Sequence, residues 1–362
     1  MHADVSFRDK IVLCAAGTGG HIFPALSVFT ALERESPILL TDPRGAAYCE
    51  HIPPSSKMVL AIERGTLTSL KSVGLFIQQS FENARFLCSA WRKNRPSIVV
   101  GFGGRATLVP LLLAWIMRIP TLIHEQNAVM GRANRVLSYI VKRIALSFPE
   151  TRRCPRLGKR QHTGMPIRAE FLGRSLTPLK KQENIRLCVF GGSQGARVFS
   201  SVVPRALVLL PEVLRKQLFV SQQVQEDDLP FVEAFYTLHN IPHELFCFSE
   251  HIVSVIQGAH LAICRAGASS LAELAALGCP TLMVPYPSAL DAHQQENARF
   301  YTDHRAGWCM SEGDFSPRSC ADFLKEHLED ISVLENAGKA MHTVAEVNAT
   351  EAFVSVIMSL KH

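Results

Sequence analysis

The chain has 362 residues, of which 47% are hydrophobic and 19% charged; this excludes a disordered tail and allows about two domains with full cores. A formal charge of +6 is modest for this length, so it speaks against a nucleic-acid binder and for small acidic ligands or an anionic membrane face. The ten cysteines contain no CxxC pair and several lie in apolar strand-like runs, the pattern of reduced core thiols in a cytosolic protein.

Arg8 and Lys10 ahead of Ile11-Val12-Leu13-Cys14-Ala15-Ala16 imitate a signal peptide, but the apolar run is short and ends in a glycine loop. That loop, Gly17-Thr18-Gly19-Gly20-His21, follows a strand signal and precedes a helix expected to open near Pro24. Such a turn brings backbone N–H groups to an anion at a helix N-terminus, although a ligand-free turn has the same pattern. His21 falls at the carboxyl edge of the sheet, where its near-neutral pKa suits a general base; a capping or core histidine is the alternative.

Residues 67–91 and 108–118 mix Leu75, Phe76, Phe86, Trp91, Trp115 and Ile116 with Lys71, Arg92, Lys93 and Arg118. This fits an anionic lipid surface or ordinary core helices equally. The longest lipid-like stretch, 108–117, is too short to span a bilayer. The strand Ser97-Ile98-Val99-Val100 leads into a second glycine loop, Gly101-Phe102-Gly103-Gly104, with Arg105 beside it to attract a phosphate. Two such loops in one domain point to a diphosphate, with structural turns as the alternative. His124-Glu125-Gln126-Asn127 closes the strand Thr121-Leu122-Ile123, so this polar cluster is expected to face a cleft rather than to be an ordinary solvated loop.

Residues 151–177 are rich in Arg, Lys, Pro and Gly without apolar periodicity, the composition of a connection, with a domain boundary near 164–168. Beyond it, residues 188–196 (CVFGGSQGA) echo residues 12–20 (VLCAAGTGG). Gly191-Gly192-Ser193-Gln194-Gly195-Ala196 lacks GxGxxG spacing and a P-loop lysine, and neither glycine loop combines GxGxxG with an acid about 20 residues later, which leaves a nicotinamide enzyme the weakest reading. Ser193 still suits a phosphate oxygen. Gly267-Ala268-Ser269-Ser270 opens an alanine-rich helix, a third anion-receiving terminus. Glu273, about one turn in, is placed to accept hydrogen bonds from two vicinal ribose hydroxyls, or is there only because the helix dipole favours an acid. Asp291-Ala292-His293-Gln294 again gathers polar groups after a strand; Gln294 suits sugar hydroxyls, or this is a solvent-facing helix.

HExxH spacing is absent and Glu226-Asp227-Asp228 reads as a solvated run, so neither metal nor cofactor is expected. Helix N-termini and Arg168 would then stabilise a leaving diphosphate. The alternation of β-type runs with helical patterns makes the fold class α/β, with two Rossmann-like domains over 1–165 and 166–344. A last helix, within about 345–362, is positioned to cross back to the first domain.

In this order, GTGGH, GFGG, HEQNA, GMPIR, GGSQGA, RAGASSLAEL and DAHQQENA resemble the motifs of the MurG family of peptidoglycan N-acetylglucosaminyltransferases, from Gly17 to Ala298. The resemblance implies a GT-B fold, two Rossmann-like domains facing across a cleft. It implies inverting transfer of GlcNAc from UDP-GlcNAc to the muramoyl 4-hydroxyl of undecaprenyl-diphosphate-linked MurNAc-pentapeptide, at the anionic inner face of the cytoplasmic membrane, with no nucleic-acid partner. By motif it assigns Ser193, Ala268, Ser269, Ser270 and Arg168 to the diphosphate and uracil side and Glu273 to the ribose. Asn127, Gln294 and His293 go to GlcNAc, and Thr18, Gly19 and Gly20 to the sugar and acceptor diphosphate. Gly17, Gly103, Gly104 and Arg105 complete the acceptor-diphosphate set; His21 is the first candidate base and Glu125 the second. The chain departs from the family at Ala16, Met165, Arg105, Leu108 and Val109, where glycine, asparagine, tyrosine, glycine and proline are usual. A UDP-GlcNAc 2-epimerase and a non-catalytic sugar-nucleotide-binding subunit are the competing readings.

Overall fold

The computed structural model describes residues 6–61, 70–155, 158–175, 185–192, 195–247 and 252–361. The chain forms two compact units, one running up to Arg168 and resuming at Asn348, the other spanning Ala169–Val347.

The first unit is built on β1 (Ile11–Cys14), β2 (Ile38–Thr41), β3 (Lys57–Val59), β4 (Ile98–Gly101), β5 (Thr121–Glu125), β6 (Arg143–Leu146) and β7 (Arg160–His162). All pair in parallel, in the order β3-β2-β1-β4-β5-β6-β7. β1, β2 and β4 are buried along their whole length, which is why they read as unbroken apolar runs rather than alternating ones. Around them lie α1 (Gly19–Ala31), α2 (Pro43–Ala46), α3 (Leu70–Lys93), α4 (Leu108–Ile116), α5 (Arg132–Leu137) and α14 (Ala349–Leu360). α14 packs on α1, and its Phe353 sits edge-on to Phe102 and His124, with centroids 5.5 and 5.0 Å away.

Two local expectations change. α1 opens at Gly19, not near Pro24, which lies inside the helix; the glycine pair itself supplies the first turn. The segment read as a connection contributes β7, whose three residues are all exposed. An edge strand wet on both faces carries no hydrophobic period.

The second unit repeats the scheme with β8 (Ile185–Phe190), β9 (Leu218–Gln223), β10 (His243–Phe246), β11 (Leu261–Cys264), β12 (Thr281–Met283) and β13 (Trp308–Cys309), ordered β10-β9-β8-β11-β12-β13 and again parallel. Its helices are α6 (Arg197–Val208), α7 (Glu212–Lys216), α8 (Leu229–Leu238), α9 (Ile252–Gln257), α10 (Ala268–Leu277), α11 (His293–Asp303), α12 (Pro317–Glu329) and α13 (Ile331–Val344). Residues 331–360 are apolar and long enough in sum to cross a membrane. They are nevertheless two helices, broken at Ala345, whose backbone is extended; α13 packs on α10 and α14 on α1.

In each sheet the winding direction reverses between its first and fourth strands, β1/β4 and β8/β11. At such a switch point the loops leaving neighbouring strands part to opposite faces and open a crevice beyond the carboxyl ends. The glycine loops singled out in the sequence leave those four strands.

Candidate active site

In the first unit the loop after β1 turns at Gly17, whose φ of +93° a side chain would disfavour. Its N–H donates to Asp42 Oδ1 at 3.1 Å; the same oxygen accepts from Gly45 N at 2.8 Å and caps α2. Asp42 therefore follows β2, where dinucleotide enzymes place a ribose-binding acid, but here it braces the glycine loop. Sequence reasoning passed over it; Asp42-Pro43, a cap residue followed by proline at the first helical position, was the available signal. Thr18 caps α1 without a side-chain hydrogen bond to the helix. Gly19 and Gly20 thus form the opening of the helix.

His21 lies in the first turn of α1, its Nδ1 3.1 Å from the Ala16 carbonyl oxygen. A carbonyl only accepts, so Nδ1 carries the proton and the neutral ring's lone pair is on Nε2. Gly103 and Gly104, at φ +92° and +83°, lie against this ring. A Cβ on Gly103 would come within 3.1 Å of His21 Nε2, and one on Gly104 within 3.1 Å of Ala16 O. The two loops approach so closely that only glycine fits without displacement. Arg105 is half-buried at the start of the turn leading into α4.

The polar run that ends β5 and follows it does not face outward as a group. His124, Glu125 and Gln126 are 0%, 1% and 2% exposed, and Asn127 alone is half-buried. The Glu125 carboxylate accepts from Asn127 N (3.1 Å), Gly131 N (2.9 Å) and Asn134 Nδ2 (2.8 Å), with Asn127 Nδ2 at 3.4 Å. Through these bonds Glu125, the second candidate base, also ties Asn127, Gly131 and Asn134 into one loop. His124 Nε2 donates to Gly164 O at 3.2 Å, and burial pulls its pKa down to about 4, the Gly164 bond opposing and a nearby His21 charge adding to the shift. Met165, at the usual asparagine position, is buried, and its sulfur accepts from Ser147 Oγ at 3.7 Å. Arg168 closes the unit with its guanidinium 5.0 Å from the Phe23 ring of α1.

In the second unit the loop after β8 folds on itself: a Cβ on Gly191 would lie 2.3 Å from Ala196 N, and Gly191 N donates to Gln223 Oε1 at 3.0 Å. Gly192 and Gly195 have positive φ. Ser193 lies outside the described residues. After β11, Gly267 caps α10 without a side-chain bond; Ala268 is buried, and Ser269 and Ser270 are half-buried in the first turn. Glu273, beyond the first turn of α10, is 7% exposed. Gln294 Oε1 accepts from Tyr286 N at 2.9 Å, which ties α11 to the loop after β12. His293 begins α11 after Asp291 and Ala292, both left-handed at φ +58° and +54°.

Arg265, quoted only as part of a motif, organises this end of the sheet. It donates to the Val284 and Pro285 carbonyls at 3.1 and 3.4 Å, pairs with Glu312 and lies over Phe199 and Tyr286. Asn297 likewise donates to Ala266 O at 3.1 Å. These partners are 19 to 66 residues apart in sequence, and no local pattern announces them.

Models of the glycosyltransferase family 28 N-terminal and C-terminal domains match residues 11–146 and 186–353. The crystal structure of Acinetobacter baumannii MurG superposes with a TM-score of 0.76 at 26% identity, covering 97% of this chain and 99% of that one. Two doubly wound sheets matched in this way define a two-domain glycosyltransferase of the GT-B fold. Proteins of Rhodospirillum rubrum and Paramagnetospirillum magneticum, both named UDP-N-acetylglucosamine–N-acetylmuramyl-(pentapeptide) pyrophosphoryl-undecaprenol N-acetylglucosamine transferase, are each 39% identical. The first alignment covers 91% of this chain and 86% of the relative, the second 98% and 97%. The chain belongs to this transferase family, the MurG family. A putative UDP-N-acetylglucosamine 2-epimerase from Listeria monocytogenes also superposes, with TM-score 0.70, 10% identity and 97% and 96% of the two chains covered; at that identity the likeness is one of fold alone.

Proposed function

We propose that this protein transfers GlcNAc from UDP-GlcNAc to the 4-hydroxyl of MurNAc in undecaprenyl-diphosphate-linked MurNAc-pentapeptide, inverting the anomeric centre. The observation that carries this reading is the 39% identity, over nearly the whole chain, to transferases so named. His21 Nε2 accepts the hydroxyl proton as the oxygen attacks the anomeric carbon. The bond from that carbon to the β-phosphate oxygen breaks, and its electron pair leaves with UDP. The second unit takes the donor: the α10 N-terminus with Ala268, Ser269 and Ser270, together with Ser193 and with Arg168 from the first unit, takes the diphosphate and uracil side. Glu273 takes the ribose hydroxyls, and Gln294 and His293, with Asn127 of the first unit, take GlcNAc. Thr18, Gly19 and Gly20 receive the sugar and the acceptor diphosphate, the latter shared with Gly17, Gly103, Gly104 and Arg105. Glu125, the second candidate base, also supports Asn127 and the following turn.

The lipid moiety of the acceptor calls for a membrane surface, and the first unit offers one. Phe81 of α3 and Trp115 and Ile116 of α4 are 62%, 49% and 62% exposed; α3 packs on α4, and Arg85, Arg118, Lys142 and Arg143 are exposed on and after these elements. We place the protein peripherally on the cytoplasmic face of the membrane on these grounds. Trp91, read with this group from sequence, is instead a core residue edge-on to Phe7. Leu67 lies outside the described residues, as does the side chain of Lys71.

Incubation with UDP-GlcNAc, with and without a short-chain analogue of the lipid acceptor, tests the proposal. UDP release that depends on acceptor and persists in EDTA is expected. Release of the 2-epimer from UDP-GlcNAc alone would show an epimerase, and absence of any turnover would favour a non-catalytic binding subunit.

A further inference from the structure

The side-chain amide of Gln126 has a fixed orientation. Its Nε2 lies 2.7 Å from Phe102 O, a carbonyl that can only accept, and 3.2 Å from His124 Nδ1. His124 in turn gives its Nε2 proton to Gly164 O, so Nδ1 is an acceptor too. Both neighbours require the NH2 end, and Oε1 must point the other way. Gln126 is 2% exposed, and its buried Oε1 has no hydrogen-bond partner among the described residues. A buried amide oxygen left without a donor is destabilising, so its persistence needs a reason.

What Oε1 points toward is the Gly103 loop. It lies 3.7 Å from the position a Cβ on Gly103 would take, and His21 Nε2 lies 3.1 Å from that same position. The negative end of a buried amide dipole and the imidazole Nε2 thus both border the space that Gly103 keeps free of a side chain. His124, the other imidazole nearby, is held neutral by burial.

We infer that Gln126 is a positioning residue for His21, its buried amide oxygen stabilising the imidazolium that forms when His21 removes the acceptor's hydroxyl proton. This rests on the reading of His21 as the base, but its physical content concerns the free enzyme. The arrangement is a neutral counterpart of the carboxylate that supports histidine bases elsewhere: the Ala16 carbonyl sets the tautomer and Gln126 Oε1 favours the charge. Other ionisable groups on the surrounding elements are Asp42 after β2, Arg44 on α2, Arg105 after β4, Glu125 on β5, Glu351 on α14 and Arg168; the substitutions below leave all of them in place.

The experiment is a histidine-selective NMR titration of the full-length protein, with the His21 signal assigned by its loss in His21→Asn. Gln126→Met removes the oxygen, and the proton affinity of His21 is expected to fall by roughly threefold or more. Gln126→Glu keeps an oxygen in place, and the affinity is expected to stay at or above wild type. Shifts in the same direction in both variants, or none in either, would overturn the inference. Should Gln126→Met fail to fold, Gln126→Asn withdraws the oxygen by one methylene and is read the same way. Because the readout is a titration, it stands apart from whether His21 proves to be the base, which the turnover of His21 variants decides.

Discussion

At His21 the bond from Nδ1 to the Ala16 carbonyl does the work an aspartate does in a triad: it selects one tautomer and aims the ring. Replacing His21 by glutamine is therefore expected to lower kcat for transfer by about 10²–10⁴-fold while leaving UDP affinity unchanged, since the donor determinants of the proposal lie mainly in the second unit. A parallel loss of UDP binding would contradict this division. His124 gives a second prediction, in stability. Its pKa is lowered to about 4 in the folded protein from an ordinary 6.5, chiefly by burial. Between those values the unfolded chain binds more protons than the folded one. The contribution is thus complete above about pH 6.5 and lost as pH falls toward 4, by roughly 3 kcal/mol in all. Denaturant unfolding at pH 7 and pH 4.5 should show a steeper loss in wild type than in His124→Gln; equal losses would mean that the ring is not held neutral.

At the scale of elements, the site is a contact between two strand-to-helix loops backed by a helix from the far end of the chain. Gly103→Ala introduces a Cβ at φ +92°, 3.1 Å from His21 Nε2, and is expected to reduce kcat at least tenfold, with a stability loss of about 1–2 kcal/mol. Wild-type kcat in that variant would show that the loops have room to part. Phe353→Ala removes the ring that packs on Phe102 and His124 and is expected to cost about 3–5 kcal/mol, measured by denaturation. The glycine loops were legible in the sequence because a turn at a strand end needs residues that accept positive φ, and the strands because burial on both faces leaves unbroken apolar runs. The roles of Glu125 and Gln126 were not legible. The same four letters, His-Glu-Gln-Asn, would suit a solvated loop, and their meaning is set by Gly131, Asn134, Gly164 and Phe102. Arg265 escaped for the same reason: its role is set by the Val284, Pro285 and Glu312 partners that the fold brings to it.

At the scale of the molecule, one winding scheme is used twice, and each copy places its glycine loops at its own switch point. The same scheme recurs in solved structures of 10–14% identity, so it specifies where a ligand sits and not which reaction follows. This chain places on that scheme its own loop residues and the exposed Phe81, Trp115 and Ile116 of α3 and α4. Exchanging Ile116 and Trp115 for aspartate is expected to abolish sedimentation with anionic phospholipid vesicles while leaving turnover of a water-soluble, short-chain acceptor unchanged; undiminished sedimentation would remove that face from the account. The most direct test of the whole is the anomeric configuration of the product formed from UDP-GlcNAc and the lipid-linked muramoyl acceptor, read by NMR coupling constants. A β-1,4-linked disaccharide, formed by wild type and lost in His21→Gln, is the predicted result. An α-linked product, or β-linked product formed at the wild-type rate without His21, would contradict an inverting transfer with His21 as its base.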